Sequence, residues 1–222
     1  MEDHPRLLNS MRAYDGQHII VQSTNNAPTA LRWFRDTFGR EAARQAQAAG
    51  CGIYPYLDRL ADTAPAGAGG LIWPPYLAGE QSPVWDTRAR GVFYGAGLET
   101  DYPSFIRAVL EGVAFSQRHC LEVVLDWAAR PDIIPLGGGA ANSPLWCRIF
   151  ADVLGIPVAR LRSNETETLG DIIIAAQAMG IREIAPDFGK VLAADGEVFW
   201  PDDVRACVYD RQYRVYRNCT RR

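Results

Sequence analysis

The chain has 222 residues, 48% hydrophobic and 22% charged, with a formal net charge of -3. That length can bury a substantial core, and the slightly acidic balance argues against a nucleic-acid partner. No apolar run reaches membrane-spanning length, and the opening MEDHPRLLNS lacks the apolar stretch of a secretory signal. Cys51, Cys120, Cys147, Cys207 and Cys219 lie far apart with no CxxC spacing, and His4, His18 and His119 are equally scattered. Neither a metal site nor a disulfide framework is expected; reduced, mostly buried thiols in a cytoplasmic protein are.

In chain order, Ile19–Val21 forms a short apolar strand candidate. Leu31, Trp33, Phe34 and Phe38 then give a helical stripe stopping near Gly39. Residues 40–64 read as two short helices, 65–70 as a turn-rich connection and Leu71–Trp73 as a strand. The longest helix starts at a cap on Asp101 or Tyr102, with Pro103 in its first turn. Its apolar positions run from Phe105 to Leu125, and Arg107, Glu111, Arg118, Glu122 and Asp126 read as its solvated face. Gly112, inside that helix, predicts close approach of another element. Trp73 to Leu77 read as core and a strand-end turn, and Glu80 as a group able to hold backbone N–H groups across a domain junction.

Next come a strand at Ile133–Leu136, a tight turn at Gly137-Gly138-Gly139, and a helix starting at Ser143-Pro144 and ending at Gly155. A returning strand covers 157–161. A helix with capping-box spacing at Asn164 and Glu167 follows, its stripe at Leu169, Ile172, Ile173 and Ala176. The tail after Pro201 is a helix whose Tyr209, Tyr213 and Tyr216 pack on the domain. The order of elements is that of an α/β unit with helices on a sheet.

The strand–glycine–helix segment carries the chemistry. Glycines permit positive φ and let a ligand approach backbone without meeting a Cβ, and the following helix N-terminus favours phosphate. Asn142 and Ser143 can either cap the helix or hydrogen-bond a ribose or base. A structural tight turn remains equally open at this point. A Walker loop needs a lysine after its glycines, and the chain's one lysine is Lys190. A dinucleotide fingerprint fails at Asn142, although Arg160 stands where an NADP 2′-phosphate could be met.

LGGGAANSPLWCRIFADVLGIPV resembles the adenosine motif in the C-terminal domain of FGGY-family carbohydrate kinases. GLIWPPYLAGEQSPVWDTRARGVFYG resembles the family segment upstream of the long helix, with Gln81 where the family usually has Arg. FIRAVLEGVAFSQRHCLEVV and ETETLGDIIIAA are similar to the two family helices, in family order, and xylulokinases are the nearest members. The resemblance implies a ribonuclease H-like, actin/Hsp70-type α/β fold, the C-terminal half of a two-domain sugar kinase. One domain would cover residues 1–222, with 1–23 its partly incomplete start and 201–222 its C-terminal helix.

The resemblance further implies ATP or ADP with Mg²⁺, held by Gly137, Gly138, Gly139, Asn142 or Ser143, and Arg32. The catalytic aspartate, the sugar site and a first phosphate loop belong to the family's N-terminal domain. The family's Gly-Thr-Ser/Thr loop is not matched either, since Ser23-Thr24 lacks the preceding glycine. Asp15, Asp58, Asp86, Asp101 and Asp171 lack the family context of a base, so none is assigned, and no metal ligand is. The chain would phosphorylate no sugar unaided; D-xylulose is the substrate suggested by overall likeness. An apolar surface where the partner domain docks is expected, with homodimers or aggregation of the lone chain. The alternatives are a non-catalytic nucleotide-binding or scaffold remnant of the same fold and, remotely, an NADP-dependent oxidoreductase.

Overall fold

A computed structural model describes residues 9–12, 18–161, 166–181 and 196–220. Strands β1 (Asn9–Arg12) and β2 (His18–Val21) form an antiparallel ladder pairing Asn9 with Val21 and Arg12 with His18. Helices α1 (Ala27–Phe38), α2 (Arg40–Ala48) and α3 (Ile53–Thr63) follow, and a long loop leads to α4 (Tyr102–Leu125). Strand β3 (Ile134–Leu136), a 3₁₀ turn (Gly139–Asn142), α5 (Pro144–Leu154), β4 (Val158–Arg160), α6 (Thr166–Ala178), β5 (Val198–Phe199) and α7 (Asp203–Cys219) complete the order. β3 and β4 run parallel, Ile134 opposite Val158, and β5 pairs antiparallel with β4. The parallel pair needs a crossover, and α5 supplies it.

The caps explain where the helices begin. Asp101 accepts from the Ser104 N–H at 2.9 Å and the Ser104 hydroxyl at 2.6 Å, with Pro103 in the first turn of α4. Ser143 Oγ accepts from Trp146 N at 3.0 Å, and Gly155 (φ 62°) closes α5 in the left-handed conformation. Asn26 sits at the cap position of α1 but sends its side-chain N–H to the Gly79 carbonyl instead, at 3.0 Å. The proposed capping pair at Asn164 lies outside the described residues. Ala176 of α6 is buried while Ile172 is exposed.

Helix α4 is the central element, packed against α1, α3, α5 and α7. Its surroundings correct the expectation of a solvated charged face. Arg107 and Glu111 are 5% and 1% exposed and pair at 2.7 Å. Arg107 also donates to the carbonyls of Ala64 (2.9 Å) and Ala61 (3.3 Å) at the end of α3, and to Tyr209 Oη at 3.0 Å. The Tyr209 hydroxyl in turn donates a hydrogen bond to Glu111 at 2.9 Å, which further accepts from Gly67 N. Arg118 and Glu122 are half-buried against α7, where Arg118 meets Asp210 at 2.6 Å and Glu122 accepts from the Tyr213 hydroxyl and Arg217, each at 2.7 Å. Of the five charges only Asp126 is exposed. A helix covered on several sides leaves little solvent face, so four of these charges are held by pairs along the helix and by partners distant in sequence.

Gly112 faces the backbone of Trp73 so closely that a Cβ there would lie 1.9 Å from the Trp73 carbonyl oxygen. Trp73 is buried, stacked on Trp33 (5.8 Å, 7°) and Phe93 (5.7 Å, 22°). The segment around it makes a single bridge, Ile72 with Tyr94, rather than the anticipated strand, because Pro74 and Pro75 carry no N–H to extend a ladder. Tyr209, Tyr213 and Tyr216 are buried on one face of α7, and the hydroxyls of Tyr216 and Tyr76 meet at 2.7 Å. Two cysteines, Cys120 and Cys147, are buried as anticipated; Cys207 is exposed and Cys51 and Cys219 are half-buried, so "mostly buried" holds for a minority.

Candidate functional site

The end of β3 opens onto a cavity of about 710 Å³. It is lined by β3 and the turn Gly137–Gly139, by Asn142, Ser143 and Trp146, by Leu31 and Arg32 of α1, and by Tyr54, Pro55 and Asp58 of α3. Val113 and Gln117 of α4 close it between them. All six residues singled out from the sequence as nucleotide contacts (Gly137, Gly138, Gly139, Asn142, Ser143 and Arg32) therefore face one space. A crevice at the carboxyl end of parallel strands is where open α/β sheets take ligands.

Gly138 and Gly139 border that space. Gly138 has φ 71° and ψ -163°, a region reached essentially by glycine alone. A Cβ built on Gly138 or on Gly139 would meet no heavy atom within 4 Å. At Gly79, Gly95 and Gly112, by contrast, the hypothetical Cβ runs into backbone. A turn kept free of side chains beside an open cavity is suited to a ligand that lies on the main chain.

The helix after the turn differs from the simple anion site anticipated. A 3₁₀ turn separates Gly138 from α5, Pro144 brings no N–H, and the Trp146 N–H is occupied by Ser143 Oγ. Of the two open roles for Ser143, capping is the one it performs; Asn142, one residue earlier, is exposed on the cavity wall. Trp146 Nε1 donates to the Leu110 carbonyl at 2.9 Å, which fastens this wall to α4. On the opposite side Arg35 donates to Tyr54 Oη at 2.7 Å and stacks over its ring, fixing Tyr54 at the rim.

Asp58 was visible in the sequence only as one acid among several. It is half-buried on the cavity wall. Burial raises its pKa above the ordinary carboxylate value, and nearby Asp62 adds to this, while a hydrogen bond from Ser143 and the charge of Arg148 oppose it. Its place follows from how α3 packs on α4 and α5.

The other candidates lie elsewhere. Arg160 does not line the cavity, and its guanidinium pairs with Glu197 at 3.3 Å. Glu80 is buried and accepts from Asn25 N (2.9 Å) and Gln81 N (2.8 Å), tying two loops of this same chain together. Among the described residues no group of three or more His, Cys, Asp or Glu could hold a metal ion, and no helix is long and apolar enough to cross a membrane. Asp86 and Asp101 do not line the cavity either.

Residues 9–179 match the FGGY family of carbohydrate kinases, C-terminal domain. The chain is 28% identical over 187 residues to a xylulose kinase of Staphylococcus epidermidis, covering 84% of this chain and 36% of that protein. It is 32% identical over 163 residues to a gluconokinase of Bacillus licheniformis, covering 73% and 32%. The crystal structure of xylulose kinase from Rhodospirillum rubrum superposes with a TM-score of 0.80 at 32% identity, over 99% of this chain and 42% of that one. The chain thus spans about a third of the length of these curated relatives.

Proposed function

Because the chain belongs to the FGGY family of carbohydrate kinases, with that family's actin/Hsp70-type α/β fold, we propose that it is the nucleotide-binding half of an ATP-dependent sugar kinase. The observation that carries this reading is the side-chain-free turn at Gly138 and Gly139 on the floor of the cavity. The main chain there would pass beneath the ribose and α-phosphate. Asn142 and Arg32 would contact the nucleoside. Ser143 contributes by capping α5 and so holding Asn142 in place.

The reaction assigned to the whole enzyme is transfer of the γ-phosphoryl group of ATP to a sugar hydroxyl. Such transfer depends on positioning and on neutralising the phosphates, with Mg²⁺ supplying charge when it is bound. Such an ion is held largely by the nucleotide's phosphates and by water, and among the described residues no group of three or more His, Cys, Asp or Glu could hold it. No residue of this chain is assigned as the base that takes the sugar's proton, and the chain alone is expected to transfer nothing. The sugar site belongs to a partnering N-terminal domain; a pentulose such as D-xylulose is favoured by the xylulose kinases among the relatives. Exposed Trp85, Val92, Tyr94 and Leu98 on the long loop supply apolar surface for that docking, or for a homodimer of the lone chain. We place the protein in the cytoplasm, with neither nucleic acid nor membrane as partner.

The test is calorimetric titration of the chain with ADP, ATP and NADP. Saturable binding of ADP and ATP with none of NADP is the expected result. NADP binding that ADP fails to displace, or no nucleotide binding by the folded chain, would sink the nucleotide-site reading.

A further inference from the structure

Asp58 is the one carboxylate among the described residues that lines the cavity, and the family motifs give it no role. Its immediate partners are few. Ser143 Oγ accepts from Trp146 N, which leaves the hydroxyl proton for Asp58. The nearest charges, Asp62 and Arg148, are engaged with each other at 3.2 Å. A carboxylate can accept about four hydrogen bonds. One from Ser143 leaves Asp58 with capacity to spare on the wall of an open cavity.

An ionised carboxylate accepts and cannot donate, and it repels phosphate. Beside a nucleotide it therefore fits the nucleoside, whose donors are the ribose hydroxyls and any exocyclic amine of the base. We propose that Asp58 is a nucleoside-selectivity residue, accepting a hydrogen bond from a donor group of the bound nucleoside. The proposal rests on the cavity being the nucleotide site. A hydrogen bond to a charged acceptor corresponds to about 10- to 100-fold in affinity.

The experiment compares affinities of the full chain for ADP, 2′-deoxy-ADP, 3′-deoxy-ADP and purine riboside 5′-diphosphate, which lacks the 6-amino group. Wild type, Asp58→Leu, Asp58→Asn and Asp62→Asn are titrated side by side. Wild type is expected to prefer ADP over at least one analogue by about 10- to 100-fold. Asp58→Leu should bring that ratio close to one, and Asp58→Asn, which keeps an acceptor oxygen, should retain part of it. The analogue whose penalty disappears identifies the donor, ribose or base. Asp62→Asn should keep the wild-type ratio, because Asp62 lies outside the cavity lining and its change removes a nearby charge and not the acceptor. Uniform weakening of all four ligands in both Asp58 variants would overturn the proposal, as would Asp62→Asn abolishing the ratio in the way Asp58→Leu does. Either result, with wild-type ADP binding intact, refutes this proposal alone; a wild type that binds no ADP refutes it together with the nucleotide site.

Discussion

Gly138→Ala and Gly139→Ala add the same methyl group beside the same cavity but ask different things of the backbone. At Gly138 the conformation (φ 71°, ψ -163°) is closed to alanine, and holding it there costs about 1–3 kcal/mol. For a chain of this size each kcal/mol is worth about 2–4 °C, so the melting temperature should fall by about 2–12 °C. Gly139 has no positive φ and no heavy atom within 4 Å of its hypothetical Cβ. Alanine there should change stability by less than about 0.5 kcal/mol. Ligand binding should separate the pair from wild type in the opposite sense. ADP at 100 times its Kd stabilises a protein by about 2.7 kcal/mol. Thermal melts with and without ADP should show that shift in wild type and most of it lost in both variants, since either methyl group stands between main chain and ligand. If Gly139→Ala keeps the full ADP-induced shift, the ligand does not lie on this turn. If Gly138→Ala melts with wild type, the backbone argument is wrong.

Gly112→Ala should destabilise despite the gain in helix propensity of about 1 kcal/mol, because its methyl group would sit 1.9 Å from the Trp73 oxygen. Overpacking of this kind typically costs about 1–3 kcal/mol, read from urea midpoints. Asp101→Ala removes the cap of α4 and should cost about 1 kcal/mol in the same assay. Glu111 has its pKa pushed up from 4.5 to about 7, mainly by burial, against the opposing effect of Arg107. Its folded form binds a proton more tightly than its unfolded form, so the stability it contributes is present below about pH 4.5 and lost as pH rises through about 7. Glu111→Gln should flatten that pH dependence between 4.5 and 7; urea midpoints that keep the wild-type slope would refute the assignment.

What could be read from sequence was whatever local chemistry decides. Asp101, Pro103, Ser143 and Gly155 mark helix ends through backbone groups a few residues away, and the glycine turn announces itself by composition. Gly112 signalled a close contact without naming Trp73 as the other side. Helical periodicity showed that Arg107 and Glu111 share a face of α4. It could not show that Tyr209, about a hundred residues later, covers that face. Leu71–Trp73 has the apolar character of a strand, yet the prolines after it leave a single bridge. In the site, the turn and Arg32 were legible through their motif and family likeness. Asp58, Tyr54 and Gln117 were not, because α3 and α4 bring them to the cavity by tertiary packing alone.

The most direct measurement is a crystal structure of this chain with ADP. A nucleotide site at the glycine turn predicts the ribose and α-phosphate lying on Gly138 and Gly139, with the nucleoside between Asn142 and the α1–α3 wall. ADP bound at another surface, with this cavity left vacant at saturating ligand, would contradict it.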